Sequence, residues 1–261
     1  MKYANILINL IKASVSTTLM YRANLYGSIV STILWAILSL TSISVLTYQV
    51  AEVGGWSRYQ LFVVQGVYSV ILGTMYFIFG DNLKRLSRQI NRGDLDLWLT
   101  KPVDSQFIVS VGEYKLYQLA RVATGVIILI YALSVLHIVP SFLTILLFVI
   151  FVVASSTIIY SIWFILTTLS IWLISLFNLH DLFIHITGLT RYPLEIFKYL
   201  SKYLLYVTLP LVVITTVPAQ ILLQKFNLPL AVAAIVLAVI FFAAARKFWF
   251  FALKYYTSAS S

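Results

Sequence analysis

Residues Val122 to His180 read VATGVIILIYALSVLHIVPSFLTILLFVIFVVASSTIIYSIWFILTTLSIWLISLFNLH, without a single Lys, Arg, Asp or Glu. Crossing ~30 Å of hydrocarbon takes about 20 apolar residues in a helix, so this run is too long for one span. His137, Pro140 and Ser141 mark a break within it. The rest of the chain has the same character. Of its 261 residues 61% are hydrophobic and only 10% charged, against ~25% charged in a typical soluble domain. Mean hydropathy is +0.97. A membrane β-barrel would alternate apolar and polar residues instead of running apolar over long stretches. The expected fold class is therefore all-α integral membrane.

Further spans appear on both sides of that run. Tyr26–Tyr48 and Tyr59–Gly80 precede it; Tyr203–Leu223 and Leu230–Ala245 follow it. The count comes to six transmembrane helices. Asp81 to Arg121 holds Lys84, Arg85, Arg88, Arg92, Lys101, Lys115 and Arg121, the densest basic block of the chain. Basic residues collect in cytoplasmic loops, so this segment is placed inside. Both termini, with Lys2, Lys12 and Arg22 at one and Arg246, Lys247 and Lys254 at the other, fall on the same side. The formal charge of +10 is then explained by basic flanks of spans, with no nucleic acid needed. Cysteine is absent, which excludes disulfides, thiolate metal sites and a cysteine nucleophile.

Two routes lead through Phe142–Phe226. In one, Phe142 to about Ser175 is a single long span, Arg191, Lys198 and Lys202 are cytoplasmic, and Tyr203–Leu223 crosses. In the other, Phe142–Thr187 is a hairpin of two spans, and Arg191–Lys225 is external and dips into the membrane. The basic residues favour the first. Pro193, Pro210 and Pro218 favour the second, because they suit broken helices. Residues 1–22 differ from both. Lys2, Asn5, Asn9, Lys12 and Ser16 share one helical face, and Ile6, Leu7, Leu10, Ile11 and Val15 the other. That pattern predicts an amphipathic helix lying in the headgroup layer.

The loop after the second span reads DNLKRLSRQINRGDLDLWLTKP over 81–102. Leu83, Leu86 and Ile90 share a helical side, with basic residues around the rest. Gly93 stops that helix. A short apolar segment follows, and Pro102 breaks the chain again. Leu95, Leu97 and Trp98, flanked by two aspartates, form either a docking surface or a lipid-interface patch.

Ile90-Asn91-Arg92-Gly93-Asp94-Leu95-Asp96, then Leu99, Lys101-Pro102-Val103 and Phe107, resemble a motif of the bacterial ABC-2-type permeases, the membrane subunits of ATP-binding-cassette exporters. Arg191-Tyr192-Pro193-Leu194, Leu209-Pro210 and Val217-Pro218-Ala219 are also similar to this family. The resemblance covers the whole chain, read as one transmembrane domain over 1–261. It implies an ABC-2-type exporter fold with an interfacial helix over 1–22, a cytoplasmic coupling loop over 82–115 and a re-entrant external segment over 190–226. It further implies that Arg88, Arg92, Gly93, Asp94, Leu95, Asp96, Leu97, Trp98, Lys101 and Pro102 dock on an ATP-binding subunit. Arg92, Asp94 and Asp96 would be the polar contacts, Leu95, Leu97 and Trp98 the apolar ones.

No GxxxxGK[ST] sequence occurs, so ATP and its magnesium are expected on the partner, with no cofactor in this chain. A second permease, identical or paralogous, and the lipid bilayer complete the expected partners. The location implied is the bacterial plasma (inner) membrane, multi-pass, with both termini cytoplasmic. The spans themselves hold no ionisable Asp, Glu, Lys or Arg. That argues against ion-coupled transport and for a path without charge selection, hence a hydrophobic or amphipathic cargo. Arg121 is expected to snorkel to the inner headgroups. A lipid-modifying enzyme would have to rely on His180, Asp181, His185 and Glu195, and a non-transporting scaffold is the third class. The five-residue spacing of His180 and His185 does not align two ligands on one helical face.

Overall fold

The computed structural model describes residues 2–20, 22–48, 50, 52–173, 179–193 and 202–256. Among them five helices are long and apolar enough to cross a membrane. The first is α2 (Arg22–Leu46), which follows α1 (Lys2–Met20). The second is α3 (Arg58–Met75), which passes through a π turn at Tyr76–Gly80 into α4 (Asp81–Arg92) with no break in the helix. After α5 (Asp96–Leu99) and α6 (Ser105–Ser110) come α7 (Leu119–Val135) and α8 (Phe142–Thr168). Then follow α9 (Leu179–Gly188), α10 (Lys202–Leu222) and α11 (Leu228–Leu253).

The break between α7 and α8 lies where the sequence marks it. His137 takes a left-handed φ of 54°. Its N–H donates to the Ser134 carbonyl at 3.1 Å, and the N–H of Ile138 to that of Leu133 at 3.0 Å. This paired closure satisfies the last carbonyls of α7. Ser141 then caps α8, its hydroxyl accepting from the Thr144 N–H.

Helix α3 is the centre of the bundle, buried almost continuously from Leu61 to Gly73. It packs most closely on α7, and glycine makes that possible. A Cβ on Gly66 would lie 2.8 Å from Leu129 Cγ, and one on Gly125 would lie 2.8 Å from the Gly66 carbonyl oxygen. Lipid offers no hydrophobic drive to pair helices, so close backbone approach supplies the dispersion contacts instead. The outward faces of α2 and α11 remain apolar and exposed, with Val30, Leu34, Val239 and Ile240 among them. In a bilayer those faces meet acyl chains.

Contacts fix which ends lie together. Ser14 of α1 accepts from the Tyr114 N–H at 2.9 Å, and Trp249 near the end of α11 donates to Ser105 at 2.9 Å. Ser14 of α1 and Trp249 of α11 therefore lie at the end that carries the 81–121 loop. Lys225 reaches the other end, where its ammonium donates to Gln60 at 3.2 Å and sits 5.8 Å from the Trp56 ring.

Helix α8 is one helix, and it finishes at the loop end, where Ser170 meets Ser87 of α4 at 2.9 Å. From there α9 turns back into the bundle. Its Phe183 stacks on Trp163 at 4.5 Å, and the 3₁₀ turn Leu189–Arg191 that follows reaches Tyr68 of α3. The dip over 179–191 thus enters from the loop end. Of the expected re-entrant external segment at 190–226, Lys225 does lie at the far end. Arg191, however, is neither cytoplasmic nor external: it sits inside the bundle. Lys198 and Glu195 lie outside the described residues.

Candidate functional site

The loop end is built as two helices and a clasp. Helix α4 ends at Gly93, whose φ of 78° lies in the left-handed region. The Gly93 N–H donates to Ile90 at 3.3 Å and the Asp94 N–H to Gln89 at 3.0 Å, the closure that favours glycine at this position. The turn brings α5 back against α4. Leu83, Leu86 and Leu95 are fully buried beneath it, so the helix and the turn share one apolar floor.

The ten residues expected to dock on a partner fall into two groups. Arg88, Arg92, Asp94, Leu97, Lys101 and Pro102 are exposed. Lys84, Arg88 and Arg92, spaced by four, form a basic stripe along α4. Leu97 is 69% exposed, an isolated apolar side chain at the tip. The others are turned inward. Leu95 has no exposed surface and packs within the chain. Trp98 is half-buried, with the Lys101 ammonium 3.8 Å and the Arg85 guanidinium 5.3 Å from its ring centre. These cation–π contacts hold α5 in place. Asp96 is half-buried in the first turn of α5, where a carboxylate suits the helix dipole, and Gly93 shapes the turn. Leu95 thus belongs to the apolar floor, and Leu97 is the apolar side chain the surface exposes.

A clasp that the sequence did not announce fixes this loop to the membrane helices. Asp104 caps α6 by accepting from the Phe107 N–H at 2.9 Å. It also receives Arg246 of α11 in a two-pronged pair, Nη1 to Oδ1 at 2.8 Å. That hydrogen bond from Arg246 holds the Asp104 carboxyl below the usual carboxylate range, against an opposing push from burial. Gln106 links Arg246 at 3.2 Å to the Tyr160 hydroxyl of α8 at 3.1 Å, and Ser110 meets the same hydroxyl at 2.8 Å. On the other side Arg85 pairs with Glu113 at 2.7 Å, and Lys115 with Asp81 at 3.1 Å. These contacts join the segment 104–115 to α4, α8 and α11. Asp104 and Arg246 are 142 residues apart, and no local pattern joins them.

The family model for the ABC-2 family transporter proteins matches residues 5–260. The chain is a member of that family. It is a multi-pass membrane protein, the permease subunit of an ABC transporter, and as such works with an ATP-binding subunit. No curated protein and no solved structure matches it.

The other sites weighed from the sequence lead elsewhere. Among the described residues no three His, Cys, Asp or Glu side chains gather as metal ligands. His185 is exposed, while the side chains of His180 and Asp181 lie outside the described ones. The expected spans hold no Asp, Glu, Lys or Arg, but two arginines that flank them reach a tyrosine of α3. Arg191 donates to the Tyr68 hydroxyl at 3.0 Å, and the Arg121 guanidinium lies 5.5 Å from the same ring. Arg121, in the first turn of α7, faces the rings of Tyr68 and Tyr76.

Proposed function

We propose that this permease belongs to an exporter of hydrophobic or amphipathic molecules, driven by ATP and magnesium held on a separate nucleotide-binding subunit. The basic loop lies in the bacterial cytoplasm, and the exposed stripe Arg88–Arg92 with Asp94, Asp96 and Leu97 docks on that subunit. The observation that carries this reading is the clasp. A surface meant to transmit motion must be rigidly joined to the spans, and Asp104, Gln106 and Ser105 join it to α8 and α11.

Six crossings complete the domain. Helix α8 finishes at the loop end and α11 starts at the opposite one, so the chain between them crosses once more, along α10. Helix α1 lies in the inner headgroup layer, packed by Ser14 on the loop. A second permease, a copy or a paralogue, faces this one. ATP binding by the paired subunits then favours one facing of the bundles, provided the two states bind nucleotide subunits or cargo differently.

Purification of the tagged chain from native membranes in mild detergent tests the reading. A stoichiometric P-loop ATPase whose turnover rises with the permease, and falls to its basal level with Gly93→Pro or Asp96→Arg at normal membrane insertion, is the expected result. A chain that emerges alone from several detergents overturns it.

A further inference from the structure

A second feature lies at half the depth of the bundle. A cavity of about 260 Å³ opens between α2, α3, α7 and the turn that ends in Arg191. Arg121 and Arg191 line it together with Gln65, Tyr68, Ser31 and Trp35. Tyr68 is ten residues past the start of α3 at Arg58, about 15 Å along the helix at 1.5 Å per residue. That is close to the middle of a ~30 Å hydrocarbon core. An ionised side chain at such a depth is costly and marks function by default.

Three observations agree that the cavity attracts anions. Both guanidinium groups lean on one tyrosine ring, at 5.5 and 5.2 Å from its centre, and among the described residues no carboxylate lines the cavity. Among the described residues neither arginine has an ion-pair partner. Arg121 also sits in the first turn of α7, where the helix dipole adds positive potential. Two planar guanidinium groups that line one cavity offer paired N–H donors to the oxygens of a phosphate or carboxylate, which a lysine cannot do.

The shape narrows the ligand. At about 260 Å³ the cavity is smaller than the ~300–1,000 Å³ that encloses a whole drug-sized ligand. It continues into a recess of about 100 Å³ that shares Trp35, Gln65 and Arg191 and adds Leu38, Ile43 and Leu46. The recess runs along α2 toward the end opposite the loop. A charged head fits the first space and an alkyl chain the second.

We propose that this cavity binds the oxyanion head of an anionic amphiphile, a phosphate above all, between Arg121 and Arg191, with its alkyl chain along Trp35 and Leu38. The site names the chemical class of the cargo and so rests on the permease reading. Its test needs no nucleotide-binding subunit, so failure of binding and failure of that reading are separate results.

The full chain in dodecyl maltoside is titrated with monododecyl phosphate, with dodecyltrimethylammonium and with inorganic phosphate. Thermal unfolding and tryptophan fluorescence are read together, because Trp35 lines both spaces. Monododecyl phosphate raises the unfolding temperature saturably. The double variant Arg121→Gln/Arg191→Gln needs at least about tenfold more of it, the equivalent of one charge-assisted pair, and Lys247→Gln needs no more than wild type. Equal protection by the cationic amphiphile, or an unchanged titration in the double variant, overturns the proposal. Protection by inorganic phosphate alone, lost in the same variant, keeps the oxyanion site and overturns the alkyl recess. If the double variant does not fold, Arg121→Lys/Arg191→Lys serves instead. It keeps the charge, loses the paired geometry, and is expected to bind several-fold more weakly; wild-type affinity there counts against the proposal.

Discussion

At the loop end Arg85 and Arg246 each meet a carboxylate, Glu113 and Asp104. At mid-depth Arg121 and Arg191 meet a tyrosine ring. The first arrangement neutralises charge within the chain and so adds rigidity. The second leaves positive charge in a cavity between the helices, which costs stability and is retained only if something else uses it. Arginines in one small domain thus serve two ends, and the difference lies in what stands opposite each.

The strongest way to break this contrast is Asp104→Lys, which sets a like charge against Arg246 and leaves Gln106 and Tyr160 without their anchor. The pair is partly exposed, Arg246 by 41%, so the loss is discounted to roughly 3 kcal/mol, the upper range for charge-assisted hydrogen bonds. The yield of folded protein from membranes should fall sharply, and the swap Asp104→Lys/Arg246→Asp should restore part of it. Next in size is a difference of sign. Arg246→Gln should lower the unfolding temperature, by about 2 kcal/mol of stability, whereas Arg191→Gln should leave it equal or raise it, since among the described residues no carboxylate pairs with Arg191 and removing its charge from low dielectric relieves a penalty. If both lower it equally, Arg191 is structural and the contrast fails.

A smaller effect sits in the turn. Gly93→Val forces a branched side chain to φ 78°, at a cost of about 1–2 kcal/mol. Partner-stimulated ATPase should drop several-fold while the cavity still binds monododecyl phosphate. The smallest effect is the pH dependence. The Asp104 carboxyl is held below its ordinary value of 3.8. Stability from this pair is therefore fully present above that value and is lost as pH falls through the lower folded one. The gap in unfolding temperature between wild type and Arg246→Gln should stay constant from neutral pH down to about 5 and close only below ~4.

Much of the bundle is legible from residues alone. The apolar runs locate α2, α3, α7, α8 and α11, because each must satisfy its own backbone in lipid and be long enough to cross. His137 with Ser141, and Gly93, mark two breaks that the structure contains, since local φ and capping needs are written in local residue types. The route through Phe142–Phe226 was not decided that way. Its prolines and basic residues pull in opposite directions, and only the contacts of Ser170, Phe183 and Lys225 show which end each part reaches.

The candidate site divides likewise. Arg88, Arg92 and Leu97 are exposed as the amphipathic pattern implies, but Leu95 has the same composition around it and is buried. Burial there depends on how α5 folds back over Leu86, a tertiary event.

The sequence by itself determined that this chain lives in a membrane, which segments are helical within it, and where the basic loop and its turn fall. Each of these follows from transfer energies and backbone preferences that act over a few neighbouring residues. Only the tertiary structure decided that Asp104 clasps Arg246 and that Arg121 and Arg191 converge on Tyr68. Those pairings join residues far apart in the chain, and charge interactions depend on distance in space, which a string of residue types does not carry.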